Sequence, residues 1–208
     1  MQNKFHLTQS LLSAWQYCYS DSEDSYERFL KALNRQKEPP TEAMLNGIEF
    51  ENCVNNVLNG SYIDPKHKWY QGIMETAKKL QGSQQQVRVK REIIVNGVCF
   101  ELDGVLDFLR AGEIYDTKFS THYYLNKYLD SSQHPMYFYL VPEAKKFQYI
   151  SCDGRFIYTE TYYPEDTPPI EIKIKQFMQF LDKTKNIETF CQIWNLETYY
   201  SNYDKGGK

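Results

Sequence analysis

From Thr8 to about Asn34 the apolar positions fall at Leu11-Leu12-Trp15-Tyr19 and then Tyr26-Phe29-Leu30-Leu33. This is the three-to-four spacing of two amphipathic helices, parted by the polar run from Ser20 to Ser25. Pro39-Pro40 breaks the chain, Thr41 is placed to cap a helix, and Glu42 to Leu58 reads as that helix, stopped by Asn59-Gly60. A further helix is predicted over Gln71 to Leu80, between Asp64-Pro65 and Gly82-Ser83. The period then changes to two. Val87-Val89-Arg91-Ile93-Val95 alternates as a strand, Asn96-Gly97 is a strong hairpin signal, and Val98 to Leu109 and Glu113 to Phe119 form the next two strands around Ala111-Gly112. Helical spacing returns from about Thr121 to Leu140, interrupted near Asp130-Ser131-Ser132. Strands follow at Lys146 to Ser151 and Arg155 to Tyr162. Pro168-Pro169 introduces a helix over Ile170 to Asn186 with the stripe Ile174, Phe177, Met178 and Leu181. A last helix or irregular segment carries Phe190, Ile193, Trp194 and Tyr199, and Gly206-Gly207 ends a tail expected to fray. No internal repeat interrupts this order, which implies an α/β fold: a mixed sheet flanked by helices around one core.

With 208 residues the chain is long enough to bury such a core as a single domain. Aromatic residues make up 16% of it, including 18 tyrosines, which speaks for a packed globule rather than disorder. The net charge of −3 gives no global attraction for nucleic acid. Contact with DNA must then come from local basic patches such as Lys66-His67-Lys68, Arg88 to Arg91 and Lys145-Lys146, although most such clusters are simply solvated. No apolar run suits a membrane helix and no secretory leader opens the sequence, so a cytoplasmic protein without membrane contact is expected. Cys18, Cys53, Cys99, Cys152 and Cys191 are scattered singly, as reduced residues would be. His6, His67, His122 and His134 lack the spacing of a zinc site, so a structural role is expected for each.

Candidate chemistry concentrates between Phe100 and Phe119. If Ala111-Gly112 is a two-residue loop, Arg110 pairs with Glu113 and Leu109 with Ile114. Asp107 then faces Asp116, and Val105 faces Lys118. Opposed residues lie about 4.5–5.5 Å apart at Cβ, and like charges there destabilise a sheet unless a cation sits between them. Oxygen ligands favour a hard ion, Mg²⁺ or Mn²⁺. Lys118, on the same face with only Val105 opposite, keeps its charge for a phosphate. The competing reading is an acidic hairpin face that is merely solvated.

Two helices add to the pattern. Glu51 follows Ile48 by three residues and precedes Leu58 by seven, which places it on the inward stripe, with Gly47 one turn earlier leaving room beside it. An edge-of-stripe glutamate beside a tightly packed glycine is the plainer alternative. Gln133 and Tyr137 are four apart and emerge from one helix face. Pro135 requires that helix to begin near Ser131 or Ser132. Here the plainer alternative is a core tyrosine and a solvated glutamine.

Together, Gly47-x-x-x-Glu51, Gly104-Val105-Leu106-Asp107, Ile114-Tyr115-Asp116-Thr117-Lys118 and Gln133-His134-Pro135-Met136-Tyr137 resemble, in order and spacing, the motifs of the PD-(D/E)XK nuclease superfamily, in its RecB-like and phage-type exonuclease branch. The resemblance spans about Leu45 to Leu140. It implies a restriction-endonuclease-like sheet in a single nuclease domain over 1–208, with an N-terminal helical segment 1–40, a catalytic core 41–152 and C-terminal strand and helices 153–208. It also implies a Mg²⁺- or Mn²⁺-dependent deoxyribonuclease, with an exonuclease as the expected form, in DNA recombination, repair or phage DNA processing in a bacterial or phage-infected cell. By resemblance, Glu51, Asp107, Asp116 and the Thr117 carbonyl hold the metal and Lys118 assists catalysis. Gln133 and Tyr137 hold that lysine or a DNA phosphate. The chain departs from the branch in two ways. Many relatives carry a histidine where Glu51 stands, and some bind an iron–sulfur cluster through one N-terminal and three C-terminal cysteines. Here Cys18 matches the first but only Cys191 lies in the last fifty residues, so no iron–sulfur cluster is expected. The alternative function is a catalytically silent DNA- or protein-binding module that keeps the fold as an inhibitor or complex subunit. A homo-oligomer or protein partner is compatible with either.

Overall fold

The computed structural model describes residues 4–20 and 22–197, so Tyr199 and Gly206-Gly207 lie outside the described residues. The elements run β1 (Lys4–Thr8), α1 (Gln9–Tyr17), α2 (Ser25–Leu33), α3 (Glu42–Leu58), α4 (Tyr70–Leu80), β2 (Gln84–Val95), β3 (Val98–Arg110) and β4 (Glu113–Phe119). They continue as α5 (Gln133–Leu140), β5 (Lys146–Cys152), β6 (Ile157–Tyr162), α6 (Ile170–Lys183) and α7 (Ile187–Ile193). Both short hairpins turn as their sequences require. Asn96 and Gly97 have φ of 50° and 79°, and Ala111 and Gly112 have 49° and 81°, the paired left-handed conformation that matches strand twist in a two-residue loop.

Among the described residues six strands form one sheet. β2 runs antiparallel along β3 from Val95 with Val98 to Gln84 with Leu109. On the other edge of β3, β1 lies parallel from Lys4 with Cys99 to Thr8 with Asp103, and β4 lies antiparallel over Phe108 with Tyr115, Leu109 with Ile114 and Arg110 with Glu113. Parallel β5 and antiparallel β6 then continue outward from β4. Helices cover both faces. On one, Trp15, Phe29, Met136, Phe177 and Phe190 pack with Leu102, Leu106 and Phe147. On the other, Phe50, Val54, Ile73 and Leu80 pack with Phe108, Tyr115 and Ile150. This mixed sheet with helices on both sides is consistent with a restriction-endonuclease-like fold. Among the described residues no helix is long and apolar enough to cross a membrane.

Four expectations need correction. β1 was not anticipated: it is five residues long and passes directly into α1, with Thr8 Oγ1 accepting the Leu11 N–H at 3.2 Å as a cap. Helix is absent from 121–132 despite its helical spacing. There the Glu160 carboxylate draws off the N–H groups of Lys127 and Tyr128 at 3.0 and 3.3 Å, and Asn126 is left-handed at φ 64°. Ile48 is 52% exposed, so the inward stripe of α3 is Phe50 and Val54 rather than the row through Ile48. Packing begins only where Phe50 meets Trp69 and Phe119. The β3–β4 ladder stops at Phe108 and Tyr115, so Asp107 and Asp116 are not a paired position of the ladder.

Candidate active site

That early stop makes a fork. Gly104 to Asp107 lie between the β1 pairing and the β4 pairing, without a strand partner on that edge. Backbone groups buried there need partners from elsewhere. Tyr137, on α5, donates its hydroxyl to the Val105 carbonyl at 2.7 Å, and the Asp107 carboxylate accepts the Thr117 N–H at 3.1 Å. Gly104 explains its own identity: a Cβ there would collide with the ring of Tyr137 and press on Leu140. The two motifs on β3 and α5 are thus one packing unit.

A cavity of about 610 Å³ opens at the fork, and Glu51, Asp107, Asp116, Thr117, Lys118, Gln133 and Tyr137 all line it. The Lys118 Nζ stands 2.6 Å from Asp116 Oδ2, and Gln133 Nε2 donates to Asp116 Oδ1. Lys118 was expected to keep its charge unneutralised opposite Val105. Instead it is ion-paired with Asp116, two residues earlier on the same face of β4. Tyr137 is 3% exposed and bonded to β3, and Gln133 holds Asp116; the expected bond to Lys118 is not the one either makes. Glu51 reaches the cavity from α3 and accepts Gln86 Nε2 at 2.8 Å.

Burial, reinforced by the charge of Asp116, pushes the Asp107 carboxyl well above the usual carboxylate range; Lys118 and the Thr117 N–H oppose this. Burial and Asp116 also raise Glu51, against Lys118 and Gln86. For Lys118 burial works against the charged form, yet Asp116 and Asp107 outweigh it and hold the amine above its ordinary value. Three carboxyl groups therefore share one desolvated site with the Lys118 ammonium. Among the described residues no three His, Cys, Asp or Glu side chains are gathered as a ready metal cage. The donor set is nonetheless all oxygen, and Asp116 Oδ2 is buried without a hydrogen bond, held only by the Lys118 ion pair. Such a set fits a hard divalent cation.

The sequence reading missed the other wall of the cavity. His6 and Asp103, both buried, meet at 3.1 Å, and Arg88 clasps Asp103 through Nε and Nη2 at 3.1 and 2.7 Å. Burial alone would raise Asp103, but bonds from Arg88, His6 and Lys90 bring it below its ordinary value. Burial lowers His6 despite Asp103. A signal for Asp103 was present: it precedes Asp107 by four residues on an alternating strand and so shares its face. His6 gave none without β1.

No family model matches this chain, and no curated protein matches it. Among solved structures, that of SSO0001 aligns with a TM-score of 0.53 at 14% identity, over 86% of this chain and 78% of its own. LHK-Exo in complex with dAMP aligns over 96% of this chain and 93% of its own, with a TM-score of 0.45 at 15% identity. The likeness to SSO0001 establishes a shared fold and nothing finer.

Proposed function

We propose that the chain is a Mg²⁺- or Mn²⁺-dependent deoxyribonuclease that hydrolyses phosphodiester bonds at the fork between β3 and β4, acting as an exonuclease of the RecB-like PD-(D/E)XK branch. The observation that carries this reading is the convergence of Glu51, Asp107, Asp116 and Lys118 on one cavity, three carboxyl groups beside one ammonium. A structural domain gains nothing from that arrangement, since buried like charges cost stability. Glu51, Asp107, Asp116 and the Thr117 carbonyl would hold the cation. When bound, it supplies charge neutralisation at the phosphate and a more acidic attacking water. Gln133 fixes the rotation of Asp116, and the Thr117 N–H fixes that of Asp107. The Lys118 ammonium, paired with Asp116 at 2.6 Å, would be free to meet negative charge developing on the phosphate if that carboxylate held a cation.

The second reading, a silent module on the same fold, draws on the closed Lys118–Asp116 pair and the lack of a ready cage among the described residues. Incubation with linear and circular, single- and double-stranded DNA, with and without Mn²⁺, separates the two. Metal-dependent loss of linear DNA that Asp116→Ala abolishes supports the exonuclease. Binding without turnover supports the silent module, and circular substrates report any internal cleavage.

A further inference from the structure

β2 contains a residue that a strand ought not to hold. Gln86 has φ 52°, in the left-handed region that costs energy for any residue with a Cβ and is rare outside glycine, asparagine and aspartate. Here it sits within a twelve-residue strand, not at a turn. Its place in the ladder is defined on both sides, by Gln85 with Phe108 and Val87 with Leu106, so the unbroken register sets Gln86 across from Asp107. Around this point the faces of β3 exchange. Leu106 packs in the core under α5 and α6, whereas Phe108, two residues on, packs in the core under α3 and α4. A regular strand would put both on one face. No residue is inserted, so the change is absorbed in backbone dihedrals, and Gln86 carries the outlier.

The side chain of this residue reaches Glu51, with Nε2 donating to Oε1 at 2.8 Å. Strain in a sheet persists when the surroundings impose it, and it gathers where a side chain must be delivered to a site. We infer that Gln86 is a positioning residue, whose left-handed backbone at the β2–β3 kink carries its carboxamide to Glu51 and fixes that carboxylate's rotation toward the cavity. This rests on the reading of Glu51 as a metal ligand. Partners that orient ligating carboxylates change metal affinity or activity about 10–100-fold when removed.

The inference separates the backbone of Gln86 from its amide. Gln86→Gly removes the amide and suits the left-handed backbone; Gln86→Val makes the backbone worse, since a branched Cβ is least tolerated there. The expected result is that Gln86→Gly melts no lower than the parent while binding Mn²⁺ about tenfold more weakly, and that Gln86→Val melts lower. In a Glu51→Gln background the Gly substitution should weaken Mn²⁺ binding no further, because its effect passes through Glu51. Thermal melts and Mn²⁺ titrations followed by the electron paramagnetic resonance of free Mn²⁺ supply both readouts. A parent that binds Mn²⁺ beside a Gln86→Gly variant of equal affinity overturns the positioning role and leaves the nuclease reading standing. Gln86→Gly melting below Gln86→Val overturns the strained backbone on which the inference depends. A parent with no Mn²⁺ affinity overturns both the metal site and the role given to Gln86.

Discussion

Lys118 and Asp116, two residues apart on β4, form an ion pair at 2.6 Å inside the cavity where Asp107 and Glu51 also converge. The ammonium stands close to the oxygen that a metal ion would claim. Under the proposed function lysine and cation would compete for Asp116, and the pair would act as a latch that metal binding opens.

The latch has a thermodynamic consequence. Lys118→Met removes the amine and leaves Asp116 with an unanswered buried charge, so the metal-free protein should melt lower than the parent. Added Mn²⁺ should then raise the melting temperature of the variant by more than it raises that of the parent, since no lysine must be displaced. Cleavage should fall by about 10²-fold or more because the ammonium no longer meets the developing charge. Equal Mn²⁺ shifts in the two proteins would remove the competition.

Asp107→Asn should separate stability from catalysis. Burial and Asp116 both disfavour the ionised Asp107, so an uncharged isostere at neutral pH should leave the fold as stable as before, or more stable by about 1 kcal/mol. Phosphodiester cleavage should nevertheless drop at least ~10²-fold with the loss of a ligand. Urea denaturation beside a cleavage assay measures both, and cleavage at the parental rate would take Asp107 out of the site.

Much of the fold could be read because its elements are strongly periodic and clearly punctuated. Thr41 and Asn59-Gly60 frame α3, and Asn96-Gly97 and Ala111-Gly112 fix two hairpins. The hairpin register was also legible as far as Phe108 with Tyr115. Beyond that point it was not, because the next hydrogen bond to β4 is accepted by the Asp107 side chain and not by backbone, a choice that period-two reasoning does not contain. The segment 121–132 misled for a similar reason: local spacing favoured helix, but Glu160, more than thirty residues later, takes the N–H groups. His6 was obscure because its meeting with Asp103 requires the short β1 to lie beside β3.

The link between Gly104 and Tyr137 predicts a coupled pair. Gly104→Ala drives a methyl into the tyrosine ring, which should cost about 1–3 kcal/mol by overpacking. Tyr137→Leu removes both that ring and the hydroxyl bond to the Val105 carbonyl. With the ring gone the added methyl has room, so the double variant should be less destabilised than the sum of the single changes. Chemical denaturation of the four proteins completes the cycle. Additive effects would show that the two residues do not touch in solution.

His134 contributes to the acid side of the stability profile. Its ring is 2% exposed, stacked on Tyr162 at 4.1 Å between centroids, with Nδ1 3.3 Å from the Tyr149 hydroxyl. Burial, aided by Lys173, lowers its pKa from 6.5 to about 4. In the unfolded chain the imidazole protonates near the ordinary value, while in the folded protein it stays neutral until about 4. The folded state then binds fewer protons across that interval, so stability is complete above 6.5 and is lost as the pH falls toward 4. The loss assignable to this residue is on the order of 3 kcal/mol at most. His134→Phe keeps an aromatic ring against Tyr162 and has no proton to gain, so the difference in stability between parent and variant should shift toward the variant as the solution is acidified. Other titrating groups cancel in that difference. Urea denaturation of both proteins at several values between neutrality and the folded pKa measures it, and a difference independent of pH would show that His134 is not held neutral within the core.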